Sequence, residues 1–278
     1  MEQYAIPQPP PKRPELPDGV APRWPAWYAA AGFLVALVGT LIAVGIVVVI
    51  TGETSDTDEA NPTFTVVATF IQAVVFIGTA VLFASFTRRP KPWHFGLRKV
   101  PFWQAVGWAA LGMFCFYVFA AVYTAVVQPD AEQTVAQDLG ADQGTFGMIA
   151  AGFMVVCVAP VAEEFFFRGF FYRALRSRFS VLAAAAIDGA LFGVIHFDFS
   201  SSDALLILPP LAVLGFMFCL VYERTGSLYP VIALHAFNNA LAFGIQAEGW
   251  EVSAVFGPLM LLACALVPRF MRRAPAIA

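Results

Sequence analysis

Runs of about twenty apolar residues recur along this chain, and that feature does most to decide what it can become. A helix of that length crosses a hydrocarbon layer of about 30 Å. Inside lipid a backbone amide has no water to bond, so a crossing segment must close its hydrogen bonds within itself as helix. The runs lie near residues 28–50, 64–86, 104–127, 147–172, 181–199, 204–222, 229–247 and 252–268. They predict an all-α, polytopic membrane protein of about eight transmembrane helices. Composition agrees. Only 13% of the 278 residues are charged and mean hydropathy is +0.73, where a soluble domain carries about 25% charged residues. A water-soluble globule must still cover its outside with polar groups, so lipid is the solvent for much of this surface.

Charge then orients the bundle. With the N-terminus placed in the cytoplasm, the inner segments hold Lys12, Arg13, Arg23, Arg88, Arg89, Lys91, Arg98, Lys99, Arg173, Arg176, Arg178, Arg224, Arg269, Arg272 and Arg273, which is all but one of the 16 basic residues. The outer loops hold acids instead, from Glu53, Asp56, Asp58 and Glu59 through Asp130, Glu132, Asp138, Asp142, Asp198 and Asp203 to Glu248 and Glu251. Excess Lys and Arg on the cytoplasmic side is the topological rule, and a wrong span count would scramble this sorting. Both termini are therefore expected in the cytoplasm, in the cell (plasma) membrane. Residues 1–25, MEQYAIPQPPPKRPELPDGVAPRWP, are polar and dense in proline with no apolar h-region, so they predict a disordered cytoplasmic tail rather than a signal peptide. Residues 26–278 form the transmembrane domain. No basic groove interleaved with aromatics points to nucleic acid. Cys115, Cys157, Cys219 and Cys264 all fall in apolar spans and form no CxxC pair.

With the loops set aside, four ionisable residues remain inside the membrane: Glu163, Glu164, Arg168 and Asp188. His196 and His235 join them. A charged group at mid-bilayer costs roughly 3 kcal/mol on insertion scales, so such residues are normally paired or functional. Glu164 and Arg168 are spaced i, i+4 and can pair on one helical face. Glu163 is turned about 100° from its neighbour, so the same arginine cannot easily serve both. A structural ion pair beside a protonated glutamate is the plainer interpretation, but it leaves the second carboxyl without use. Pro160 weakens the helix one turn earlier. Asp188 lies about 12 Å from His196 along its helix, too far for direct pairing. His235 and Asn239, at i, i+4 in LHAFNNALAF, project to one side, and Asn238 points away. They could equally hydrogen-bond across helices as structural glue. Together these residues supply a base, two imidazoles and an amide on three helices, the parts needed to deprotonate water and to receive an oxyanion.

The series EExxxR (Glu163, Glu164, Arg168), FxxxH (Phe192, His196) and HxxxN (His235, Asn239) resembles the three motifs of the CPBP intramembrane proteases, the group of the CAAX prenyl endopeptidase and of bacteriocin-processing and immunity proteins. The resemblance covers about residues 165–250, within a motif-bearing core of about 147–250, and the first three spans match only in hydropathy. It implies an endopeptidase that cuts a membrane-anchored peptide or protein. Carried over by position, Glu163 is the general base, helped by His196, while His235 and Asn239 form the oxyanion site. Glu164 orients the site through Arg168, and Phe192 supports it. No cofactor is expected. A zinc ion held by His196, His235 and Glu163 is the alternative, and HExxH is absent from the sequence. The competing function is a non-catalytic membrane protein, either an immunity-type binder or a proton-coupled transporter, since buried acids and histidines also serve proton relays. Cys157 as a nucleophile is a third idea, with no histidine near it in sequence.

One expectation is awkward. Counted from the span ends, His196 lies in the outer half of its helix, whereas His235 lies about six residues from the inner end. A shared site requires tilt, a late helix start after Arg178, or a re-entrant turn near FDFSSSD.

Overall fold

The structure is a computed structural model, and it describes residues 24–51, 62–129, 135–196 and 205–271. Eight helices occupy the eight predicted spans: α1 (Trp27–Thr51), α2 (Pro62–Ser85), α3 (Phe102–Val127), α4 (Gly144–Leu175), α5 (Val181–Val194), α6 (Leu208–Thr225), α7 (Leu228–Gln246) and α8 (Trp250–Phe270). Among the described residues there is no β-strand. Seven of the helices are long and apolar enough to cross a membrane, which makes this a multi-pass integral membrane protein. The exception is α5. Its predicted span runs to residue 199, yet the helix stops after 14 residues.

The reason lies in a side chain. A continuing α-helix would give the Phe192 carbonyl to the backbone N–H of His196. Instead the His196 N–H turns back to Gly193 O at 3.0 Å, and the His196 imidazole takes Phe192 O through Nδ1 at 2.8 Å. The histidine thus caps the helix it ends. Residues 197–204, where a re-entrant turn is one of the expectations, lie outside the described residues, as do 1–23 of the tail. Trp24 belongs to that predicted tail but is fully buried, with its ring 5.2 Å from that of Phe95 and 5.5 Å from that of Phe170. The bundle therefore begins earlier than expected, because a tryptophan finds an aromatic socket there.

The ends of the bundle are cross-tied as the charge sorting requires. At the basic end Arg98 donates to Gly226 O, Ser227 Oγ to Arg98 O and Tyr222 to Phe95 O. At the opposite end Gln137 donates to Gln246 O at 2.9 Å. Helix packing in lipid has little hydrophobic drive and depends on close approach through small residues. That logic governs the α5–α6 hairpin. A Cβ on Gly189 would sit 2.7 Å from Phe216 N, and one on Gly215 would sit 3.0 Å from the Gly189 Cα, so the two backbones touch.

Depth is settled by where each helix starts. Gly169 of α4 packs beside Leu228, the first residue of α7. From Gly169 to Ser180 the chain runs eleven residues further, about 16 Å at helical rise, before α5 turns back. His196 is sixteen residues into the return, about 24 Å, which leaves it about 8 Å past Leu228. His235 is seven residues beyond Leu228, about 10 Å. α5 starts at Val181, where its predicted span begins, and the two histidines come level because the chain runs on past the level of Leu228 before α5 turns back.

Candidate functional site

The site is built on α4, and α4 is not a uniform helix. Residues Met154–Val158 and Phe165–Phe171 are wound as π-helix, flanking a six-residue α-helical piece, Ala159–Glu164, that ends in both glutamates. Single wide turns of this kind are uncommon and gather at functional sites. The first has a visible cause. In its register Ala159 N–H bonds Met154 O, so the next donor, due at Val155 O, falls on Pro160, which has none. Asn239 of α7 fills the gap: its carboxamide nitrogen donates to Val155 O at 2.9 Å. The second wide turn is buried among Phe166, Phe167, Phe170 and Phe171, all essentially inaccessible. Phe76 of α2 packs on Phe166 with ring centres 4.8 Å apart.

Chemistry from four helices, α4 to α7, converges on those two glutamates. Glu164 is fully buried, and its Oε1 accepts from Arg168 Nη1 at 2.9 Å and from His235 Nδ1 at 2.8 Å. Arg168 is also fully buried. It donates through Nη2 to Gly215 O at 2.9 Å, lies 3.4 Å from Asp188 through Nε, and stacks over Phe192 at 4.5 Å and Phe218 at 5.2 Å. Asp188, which sequence spacing leaves without a partner, is thus the second counter-ion of Arg168. Its partner is on another helix, and only GALFG (Gly189 to Gly193) hinted at the close approach that joins them.

Glu163 faces the other way, as its rotation predicts. Its Oε2 lies 3.8 Å from His235 Nε2 and 3.9 Å from His196 Nε2. His196 turns Nδ1 to Phe192 O, so its Nε2 is the free nitrogen, and His235 turns Nδ1 to Glu164 with the same result. The Phe192 ring separates and supports the pair, 4.8 Å from the His196 ring and 5.7 Å from that of His235. The separations from Glu163 exceed a direct hydrogen bond but suit one bridging water. The His196 side chain is 28% exposed and that of Glu163 11%, so the site is reached on their side.

Every predicted site residue is therefore brought into one neighbourhood: Glu163, Glu164, Arg168, Phe192, His196 and His235 in mutual contact, and Asn239 one turn beyond His235. Asn238 instead accepts from Tyr117 at 3.4 Å, away from the acids. Cys157 packs against Ala236 and Ala240 in a purely apolar contact, which gives it no base. Three carboxyl groups accompany one guanidinium in the cluster, and ions left unpaired out of water are costly. Among the described residues no group of three or more His, Cys, Asp or Glu side chains is arranged to hold a metal ion.

Comparison with known proteins points to the same segment. Residues 145–241 match the Type II CAAX prenyl endopeptidase Rce1-like family. Two proteins of Bacillus subtilis (strain 168) are similar. Uncharacterized protein YyaK is 29% identical over 140 residues, 49% of this chain and 46% of that protein. "Putative membrane peptidase YdiL" is 30% identical over 91 residues, 33% of this chain and 35% of that protein. The chain thus spans less than half the length of the curated relatives it matches. No solved structure matches it. The resemblance carried by the three motifs holds, and it is centred on α4 to α7.

Proposed function

We propose that this CAAX-protease-like membrane protein is an intramembrane endopeptidase that hydrolyses a peptide bond of a membrane-anchored peptide or protein, in the cell's plasma membrane. The observation that carries the reading is the convergence of Glu163 Oε2 on the Nε2 atoms of His196 and His235, within 3.9 Å, from three separate helices. A water held between Glu163 and His196 donates one hydrogen bond to each and presents a lone pair to the scissile carbonyl. As it attacks, Glu163 takes one of its protons as general base and returns it to the leaving amine when the tetrahedral intermediate collapses and the C–N bond breaks. The tetrahedral oxyanion then needs donors. His235 in its protonated form offers one from Nε2, steadied at Nδ1 by Glu164, and Asn239 has a second amide proton beyond the one given to Val155 O. Arg168 holds Glu164 in place and is in turn held by Asp188.

The decisive test is Glu163→Gln, with the full chain in proteoliposomes and a tethered peptide library. Glutamine keeps the size and loses the base, so cleavage should fall by about 10²-fold or more while the melting temperature stays put. Undiminished cleavage would refute the assignment. Proton-coupled solute uptake that disappears in the same variant would instead favour a transporter. A zinc-dependent reaction would be revealed by chelator-sensitive cleavage restored by added zinc.

A further inference from the structure

One cavity of the molecule lies apart from the catalytic cluster. A groove of about 710 Å³ lies between α3, α7 and α8, on the side of α7 turned away from His235. Its walls are small and apolar, Ala105, Ala109 and Met113 from α3, Ala233 and Phe237 from α7, and Ala265 from α8. Its mouth is at the basic end of the bundle, where Lys99 and Arg269 line it and both are exposed. Among the described residues no acidic side chain lines it. The N-termini of α3 and α7 open at the same level, adding their partial positive charge. At the far end Tyr117 bonds Asn238 across the groove. From Phe102 to Tyr117 is fifteen residues, about 22 Å, enough for one lipid chain to reach the middle of a hydrocarbon layer about 30 Å thick.

We propose that this groove is a binding site for an anionic glycerophospholipid of the cytoplasmic leaflet, one acyl chain lying between α3 and α8 and the phosphate held by Lys99 and Arg269. Charge complementarity chooses the occupant. An apolar slot alone would take any lipid chain, but two cations with no acid at its mouth select a negative headgroup. The slot is walled from the catalytic acids by α7, so this lipid is not the cleaved substrate, and the proposal stands whether or not the chain is a peptidase.

Native mass spectrometry of the full chain, released from nanodiscs of equimolar dioleoylphosphatidylglycerol and dioleoylphosphatidylcholine, tests it. The wild-type chain should retain phosphatidylglycerol by roughly tenfold over phosphatidylcholine, given what two juxtamembrane cations contribute. Lys99→Gln with Arg269→Gln should bring the two lipids to parity, and Lys99→Arg should preserve the preference. Ala265→Trp, which fills the slot from α8, should abolish retention of both. Equal retention by the wild-type chain, a preference that survives the double glutamine variant, or lipid retained by Ala265→Trp would each overturn the proposal.

Discussion

His235 is gripped from both sides by neighbouring glutamates: Glu164 Oε1 stands 2.8 Å from its Nδ1, and Glu163 Oε2 stands 3.8 Å from its Nε2. Consecutive residues on one helix point about 100° apart, and here that angle is used to bracket a single ring. The two acids therefore have different burdens. Glu164 is tied to a buried guanidinium and is structural as well as positional. Among the described residues Glu163 has no guanidinium partner and faces the two imidazoles instead.

Substitution should separate them. Glu164→Gln leaves Arg168 with Asp188 as its one acidic partner among the described residues, and breaking a buried ion pair costs about 3–5 kcal/mol. A large drop in melting temperature is expected, together with lost cleavage. Glu163→Gln should lose cleavage alone. Thermal unfolding in detergent distinguishes the two outcomes, and equal melting of both variants would contradict the division.

Asn239 bonds a carbonyl that Pro160 leaves without its backbone donor. Asn239→Leu should destabilise by about 1–3 kcal/mol, the usual penalty for an unsatisfied buried acceptor. Adding Pro160→Ala supplies the missing N–H and should recover part of that stability. Cleavage should not return in the double variant if the second amide proton serves the oxyanion. Restored cleavage would make Asn239 purely a fastener.

Gly189 is where α5 meets α6 backbone to backbone. Gly189→Ala places a methyl 2.7 Å from Phe216 N and closer still to Ala212 O. Neither neighbour is a side chain that can swing aside. Overpacking of this kind costs about 1–3 kcal/mol, and the displaced α5 should carry Asp188 and His196 with it. Lower stability and at least tenfold slower cleavage are expected, measured together.

His94 gives the molecule an acid-sensitive joint outside the membrane spans. It is buried beside Trp93 and accepts the Lys91 N–H at 3.1 Å. Burial first, then the nearby Arg88, Arg173 and Lys91 charges, push its pKa down from 6.5 to about 4. The unfolded chain therefore binds more protons between pH 6.5 and 4. Stability should be full above pH 6.5 and fall as acid is added toward pH 4. In His94→Asn, which keeps an acceptor and cannot charge, that slope should flatten. Unfolding midpoints across the range provide the check.

Much of this was legible in the chain. The apolar runs gave all eight helices, because crossing lipid leaves a backbone no other form, and the i, i+4 spacing of Glu164 and Arg168 gave the pair found at 2.9 Å. What escaped were relations between distant segments. Asp188 is twenty residues from Arg168 and its partner is invisible to periodicity. The early end of α5 depends on a ring nitrogen displacing a backbone N–H, which hydropathy does not register. The wide turns of α4 left only Pro160 as a trace, and that proline reads as a weak point, not as a gap closed by α7.

Those two wide turns make α4 sensitive to length rather than to composition. Between Met154 and Phe171 a residue lost or gained without being absorbed in a π turn would rotate everything downstream by about 100°, taking Arg168 off Glu164 or both acids off the imidazoles. Substitutions along this stretch can drift, one phenylalanine for another bulky residue. Its residue count cannot drift, so α4 works as a ruler whose divisions are fixed even where its markings are not.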